Sequence, residues 1–247
     1  MTKYILFLLI GHVLGDFYFQ TQKISSKKAK YYKWVIIHSL EYLATMLAMA
    51  VIVFHVEAII MATCAGIVHF LIDTAKFIFV KKTKTKRQWN VFCLDQILHV
   101  VSIITMCYFF DRFSLQMNTT FVDAAIASCG LDSIVTLKWI LSVLLILNPS
   151  NIMIQMFLSE FKPIESRGQD IINREKNAGR MVGSLERIIM LILLFNQQYS
   201  ALGLVLTAKS ITRYNKITED KAFAEYYLLG TLLSVLVVLV IGHLVLI

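Results

Sequence analysis

The sequence predicts an all-α, polytopic membrane protein with about eight transmembrane helices. Hydrophobic residues make up 57% of the 247 positions and charged residues 16%, whereas a soluble domain carries about 45–50% and about 25% of these classes. Apolar runs of about 20 residues, the length that crosses about 30 Å of hydrocarbon, recur along the chain. With only 2 Pro and 10 Gly, the composition excludes collagen-like and disordered chains.

The apolar runs define the predicted spans in order. Five of them cover residues 3–19, 33–54, 57–80, 89–110 and 135–157, and three more follow at 181–197, 200–213 and 223–247. The sixth and seventh are near the minimum length, so a re-entrant pair is the alternative for them. The predicted organisation is a four-helix membrane domain at 1–110, an outer loop at 111–134 and a second helical membrane half at 135–247.

The charges of the loops predict the topology. The first and third loops contain basic residues and no acid: Lys23, Lys27, Lys28, Lys30 and Lys33, then Lys81, Lys82, Lys84, Lys86 and Arg87. Basic loops of this kind stay in the cytoplasm. The second and fourth loops, which are acidic or nearly neutral, are therefore expected outside, together with both termini. We expect membrane lipids as partners and no nucleic acid.

Four of the six histidines have an acid three or four positions away, each pair on a different predicted helix: His12 with Asp16, His38 with Glu41, His69 with Asp73, and His99 with Asp95. This spacing places both members of a pair on one helix face. At 1.5 Å per residue, all four acids lie roughly 5–12 Å from the cytoplasmic ends of their spans. A four-helix bundle could therefore bring eight potential ligands to one cavity.

Such a cavity is suited to divalent transition metals. A carboxylate inside a membrane costs about 2.5–3.5 kcal/mol unless it is compensated. Mixed imidazole and carboxylate ligands suit Zn, Mn or Fe, and eight ligands favour two ions. The predicted metal ligands are His12, Asp16, His69, Asp73, Asp95 and His99, and the predicted catalytic pair is His38, as a further ligand, with Glu41 as general base. The alternative is a set of metal-free ion pairs that tie helices together or line a proton path.

Further polar residues are candidates for substrate binding. Gln20 and Lys76 continue the helix faces of Asp16 and Asp73. In the second half, Arg187, Lys209 and Arg213 are expected at the cytoplasmic end, where they would hold a phosphate-bearing head group in one cleft with the metal. The alternative for these cations is snorkelling and ion pairing with Glu186 or Glu225.

The segments GHVLGDFYFQTQ, HSLEY, HFLIDTAKF and FCLDQILH resemble a bacterial integral-membrane family known as domain of unknown function 3307, over roughly residues 1–110. The resemblance adds Gln96 to the substrate-binding candidates and implies the bacterial cytoplasmic membrane as the location. The family has no established activity, and it is distantly similar to membrane-bound metal-dependent hydrolases.

The leading functional hypothesis is a membrane-embedded metal-dependent hydrolase that acts at the cytoplasmic face on a lipid-linked or phosphoester substrate. An oxygen-dependent di-iron oxidase would use similar ligands. The alternatives from other classes are a transporter or ion-coupled carrier with buried His and acid pairs, and a metal-stabilised scaffold or sensor.

Overall fold

The computed structural model describes residues 3–53, 56–83, 88–112, 119–161 and 169–246. Three cations that entered the topology prediction, Lys84, Lys86 and Arg87, lie outside these ranges, as do Phe54 and Ile247, the last residues of two predicted spans. The regular elements in the described ranges are all helical, which confirms the all-α class.

The first part of the chain forms α1 (Lys3–Val13), a π-helical turn (Leu14–Tyr18), α2 (Gln22–Lys28), and three long helices, α3 (Tyr32–Val53), α4 (Val56–Thr83) and α5 (Gln88–Arg112). A short helix, α6 (Thr120–Ser128), lies in the predicted outer loop. Then come α7 (Ser133–Ile146), α8 (Asn148–Leu158), α9 (Gln169–Phe195), α10 (Tyr199–Ile211), α11 (Tyr214–Glu219) and α12 (Lys221–Ile241). Two short turns complete the described elements, a 3-10 turn at Ser159–Phe161 after α8 and a π-helical turn at Gly242–Leu246 after α12.

Five helical segments in the described ranges are long and apolar enough to cross a membrane: Tyr32–Ile52, Val56–Thr83, Trp89–Arg112, Ser133–Leu158 and Lys221–Leu246. A sixth span results if α1 and α2, which are bent by 86° at the break between them, are one broken span. The predicted count of eight is not confirmed. The helix α10 has 13 residues, which at 1.5 Å per residue is only roughly 20 Å long, and the first half of α9 is polar in sequence.

The long helices carry their polar residues inside and their apolar residues outside. In α4, His69 and Asp73 are 1% and 3% exposed, whereas Ile67, Leu71 and Ile78 are 54%, 58% and 57% exposed. A water-soluble protein shows the reverse distribution, because exposing aliphatic side chains to water is unfavourable. This arrangement fits helices whose outer surface faces lipid.

The chain divides into two compact units, Met1–Leu141 and Ser142–Ile247. In the first unit, α3 and α4 form the most extensive helix pair, α4 also packs on α5, and α1 packs on both α3 and α5. Each of these four helices thus contacts two others, which closes a four-helix bundle.

A glycine of α4, Gly66, packs tightly against α3. A Cβ atom added at Gly66 would lie 2.6 Å from Leu43 Cδ1 and 3.2 Å from Leu43 Cβ. Small residues at such a contact let two helix backbones approach closely.

The start of α1 is tied to α6. Lys3 Nζ donates to Asp123 Oδ2 at 2.7 Å, and this interaction lowers the pKa of Asp123 below its usual value. The start of α1 therefore lies beside the segment that connects α5 to α7. This contact is compatible with the topology prediction, which assigns both regions to the outer side.

We expect Gly66→Ala to destabilise the protein. Alanine gains about 0.5–1 kcal/mol over glycine in a helix, but overpacking against Leu43 costs typically about 1–3 kcal/mol. The melting temperature in detergent should therefore fall. Gly203→Ala in α10 is the matched control, because no heavy atom lies within 4 Å of its added Cβ, and its melting temperature should stay the same or rise. Equal behaviour of the two variants would contradict the packing argument.

The topology can be tested with one native and one introduced cysteine. Cys129 is exposed between α6 and α7, so an impermeant maleimide should label it in intact cells. A Lys33→Cys variant that lacks Cys129 should react only after permeabilisation, because Lys33 lies in the basic first loop or at its border. The opposite pattern would invert the predicted orientation.

Candidate metal centre

Four histidines from the four helices of the bundle converge in the first unit. His12, His38, His69 and His99 come from α1, α3, α4 and α5, and each is at most 2% exposed. His69 is central: its ring centroid lies 4.5 Å from that of His99, 5.1 Å from that of His38 and 6.3 Å from that of His12. The structure thus brings together all four histidines of the predicted pairs.

Three buried carboxylates lie around these rings. Asp16, Asp73 and Asp95 are 8%, 3% and 4% exposed. His38 Nε2 lies 3.1 Å from Asp16 Oδ1 and 3.6 Å from Asp73 Oδ2, and His69 Nε2 lies 3.8 Å from Asp16 Oδ1. Asp16 belongs to the π-helical turn that ends α1, and such turns are frequent at functional sites.

In the part of the chain that the structure describes, two groups of three residues could hold a metal ion, because in each group the ligand atoms all lie within 4.8 Å of one another. One group is Asp16, His38 and His69, and the other is His69, Asp73 and His99. Metal–ligand bonds of about 2.0–2.2 Å would require the side chains to move inward slightly. Since His69 belongs to both groups, they are not two independent sites.

The fit to a metal also depends on which nitrogens are available. His99 Nδ1 lies 2.8 Å from the Asp95 carbonyl oxygen, which only accepts, so Nδ1 is the protonated nitrogen and Nε2 of the neutral ring has a free lone pair. Among the described residues, the histidine nitrogens that are buried without a hydrogen-bond partner are His12 Nε2, His38 Nδ1, His99 Nε2 and both nitrogens of His69. An unsatisfied buried polar group costs about 1–3 kcal/mol, and metal ligation would satisfy it.

Two predicted ligands lie outside both groups. The His12 Nδ1 atom is 3.2 Å from the hydroxyl of Tyr42, and Asp95 Oδ2 accepts from Lys76 Nζ at 2.6 Å. Both residues therefore lie beside the candidate ligands, and their role as direct ligands stays a prediction.

Tyr42 lies against the centre, and Glu41 belongs to neither ligand group. The Tyr42 ring stacks on His69 with centroids 3.7 Å apart and an interplanar angle of 15°. Tyr42 is four positions after His38 and shares its helix face. The role of Glu41 as general base stays a prediction.

The sequence indicates for Lys28 only a place in the basic first loop, whereas the structure places its side chain at the centre. Its Nζ atom lies 3.0 Å from Asp73 Oδ2 and 3.9 Å from Asp16 Oδ1. It reaches them because α2 turns away from α1 by 86°, starting at Thr21, whose hydroxyl accepts from Ile24 N. A threonine at this position is a typical N-cap and could have indicated a new helix in the sequence. The direction of that helix could not be predicted from the sequence.

The substrate-binding candidates of the first half also contact the carboxylates. Gln96 Nε2 donates to Asp16 Oδ2 at 2.9 Å. With its amide oriented to satisfy both atoms, Gln20 accepts from Lys28 Nζ at 3.1 Å and donates to the Asp16 carbonyl at 3.0 Å. Three carboxylates and the two lysines bound to them leave the cluster with one formal negative charge when the imidazoles are neutral.

The candidates of the second half have partners within the second unit. Arg187 is 2% exposed. Its Nε donates to the Ile146 carbonyl at 2.9 Å and its Nη2 to Asn151 Oδ1 at 2.5 Å. Ile146 ends α7, so Arg187 satisfies a carbonyl at the C-terminal end of that helix. Pro149 leaves the Leu145 carbonyl without its usual backbone donor, and that carbonyl accepts instead from the Ser150 hydroxyl at 2.7 Å.

Lys209 and Arg213 differ from Arg187 in their surroundings. Lys209 Nζ donates to Glu186 Oε2 at 2.5 Å, which is the ion pair weighed as the alternative. Arg213 is exposed and precedes α11. Substrate binding by all three cations stays a prediction.

No curated protein and no solved structure matches this chain. A family does match, over residues 4–127, which is 124 of the 247 positions. The matched segment contains the four helices of the bundle and every histidine and carboxylate of the candidate centre. The chain therefore belongs to the family described as Protein of unknown function (DUF3307).

Proposed function

We propose that the four-helix bundle is a membrane-embedded, metal-dependent hydrolase that cleaves an ester or phosphoester bond of a lipid-linked or membrane-proximal substrate at the cytoplasmic face. The observation that carries the proposal is the environment of His69. Both of its ring nitrogens are buried without a hydrogen-bond partner among the described residues, and it belongs to both groups of candidate ligands.

The donor set supports zinc, manganese or iron, because imidazole and carboxylate ligands suit these ions. A bound ion of this kind lowers the pKa of a coordinated water to about 7 and polarises a substrate oxygen. Asp16, His38, His69, Asp73 and His99 would hold the ion, with neutral His69 supplying one nitrogen to it.

The other residues of the centre would orient these ligands and move protons. The Asp95 carbonyl fixes the tautomer of His99, and the Tyr42 ring holds the plane of His69. His12 lies in neither ligand group, and its ring stacks on that of His99 with centroids 5.2 Å apart. It is therefore a second candidate, besides Glu41, for accepting a proton from the attacking water.

A second candidate function is an ion-coupled carrier in which the cluster exchanges protons. It is favoured by the ion pairs Lys28–Asp73 and Lys76–Asp95, which compensate two of the three carboxylates without a metal. Buried acids, histidines and lysines linked in this way are typical of proton relays in transporters. The remaining alternative is a scaffold in which the metal is structural. Such a protein would bind metal but would not turn over a substrate, whereas the hydrolase would.

Metal content and stability test the proposal. We expect one or two transition-metal ions per purified chain, and a bound ion at 100 times its Kd would stabilise the fold by about 2.7 kcal/mol. His69→Ala should remove the metal and lower the melting temperature of the loaded protein. After chelation, the melting temperatures of the unmodified chain and of His69→Ala should differ much less. Without metal, the unmodified chain buries two unsatisfied His69 nitrogens, which offsets what the side chain contributes by packing. His243→Ala is the control, since His243 is exposed and lies in the second unit.

Activity is the second measurement. The loaded protein should hydrolyse bis(p-nitrophenyl) phosphate or a p-nitrophenyl ester, and His69→Ala and chelation should each abolish turnover. A chain without stoichiometric metal, whose melting is unchanged by chelation, would exclude the hydrolase and favour the carrier. Tight metal binding with no turnover of either probe would favour the scaffold.

A further inference from the structure

Two lysines of the first unit are bound to the carboxylates of the candidate metal centre. Lys28 contacts Asp73, which is in one ligand group, and Asp16, which is in the other. Lys76 contacts Asp95. The two lysine side chains are 14% and 27% exposed, whereas the Asp73 and Asp95 side chains are 2% and 4% exposed. The two lysine side chains are therefore more accessible than the carboxylates that they contact.

A metal ion and Lys28 would compete for the same oxygens. Asp73 Oδ2 accepts from Lys28 Nζ at 3.0 Å and also lies 3.6 Å from His38 Nε2. Once a dication binds this carboxylate, the ammonium loses most of its attraction to it and is repelled by the ion. Lysine has a long, flexible side chain, so the ammonium can move to another partner without unfolding α2.

The charge of the cluster favours an anion as that partner. The three carboxylates and two lysines sum to one negative charge, so a single divalent ion makes the sum positive. A buried, uncompensated positive charge is costly. An anion that bridges the metal and the released ammonium groups restores the balance, whereas a neutral ester does not.

We propose that Lys28 and Lys76 are the substrate-holding cations, and that the substrate is a phosphate-bearing anion that replaces their carboxylate partners when metal is bound. This inference rests on the metal centre of the proposed function. Phosphate oxygens are strong acceptors for lysine, and the metal takes a further oxygen. The role predicted for Arg187, Lys209 and Arg213 is thereby given to two lysines that already contact the centre.

The test uses the full chain in nanodiscs of phosphatidylcholine, with inorganic phosphate as the probe and calorimetry as the measurement. Zinc-loaded protein should bind phosphate at least tenfold more tightly than chelated protein. Lys28→Met and Lys76→Met should each retain zinc and lose at least tenfold in phosphate affinity. Lys28→Arg keeps the charge and should stay within a few-fold of the unmodified chain. Lys33→Met, which removes an exposed lysine near α2, is the matched control and should change nothing.

Two arms distinguish the source of the phosphate group. If it belongs to a lipid, nanodiscs that contain phosphatidic acid should weaken the apparent binding of inorganic phosphate to the zinc-loaded chain, and Lys28→Met should abolish this competition. If the substrate is a free phosphate compound, phosphatidic acid should have no effect.

The failures of the two proposals differ. Unchanged phosphate affinity in zinc-loaded Lys28→Met and Lys76→Met overturns the inference and leaves the metal centre intact. Loss of zinc from these variants also overturns it, because the lysines would then be structural counter-ions. A chain that binds no zinc at all overturns the proposed function itself.

Discussion

The constraint on which the first unit depends is the compensation of buried carboxylates in a region of low dielectric. Asp16, Asp73 and Asp95 lie where water is scarce, so each needs donors from other elements. Asp16 accepts hydrogen bonds from His38 and Gln96. Asp73 accepts from Lys28, and Asp95 accepts from Lys76. These donors come from α2, α3, α4 and α5, so satisfying three acids fixes how the helices of the bundle are rotated against one another.

The spacing of histidines and acids predicted which residues meet, but not which atoms bond. A three- or four-residue spacing shows that two side chains share a helix face, whereas their partners are chosen by the facing helix. His38 thus bonds Asp16 on another helix rather than Glu41, and His12 bonds Tyr42. The pair Asp95 and His99 is different, because its hydrogen bond uses the Asp95 carbonyl.

The structure also differs from the sequence prediction where the direction of a helix matters, because composition does not show how one helix is oriented against the next. Lys28 has the same charge as its neighbours in the first loop, and only the 86° bend between α1 and α2 brings it to Asp73. In the second unit, the apolar runs predicted at 181–197 and 200–213 match the apolar part of α9 and the helix α10, which covers Tyr199–Ile211. The 13 residues of α10 are fewer than the about 20 that cross a membrane. Hydropathy predicts where a chain is apolar, and the helix ends that decide the number of spans depend on local caps and turns.

The stacking of Tyr42 on His69 has a consequence for the choice of ion. A ring held against a second aromatic ring at 3.7 Å has little freedom to rotate, and the neighbouring His99 is held by a backbone carbonyl. Beyond the small inward shift that ligation requires, such a donor set would have little freedom to adjust to ions of different radius. Affinity alone would rank divalent ions in the same order at almost any nitrogen and oxygen site. If the centre holds a metal, this restricted motion would favour the ion whose size and coordination number match the positions of the ligands, so the choice of ion would depend on fit as well as on strength of binding.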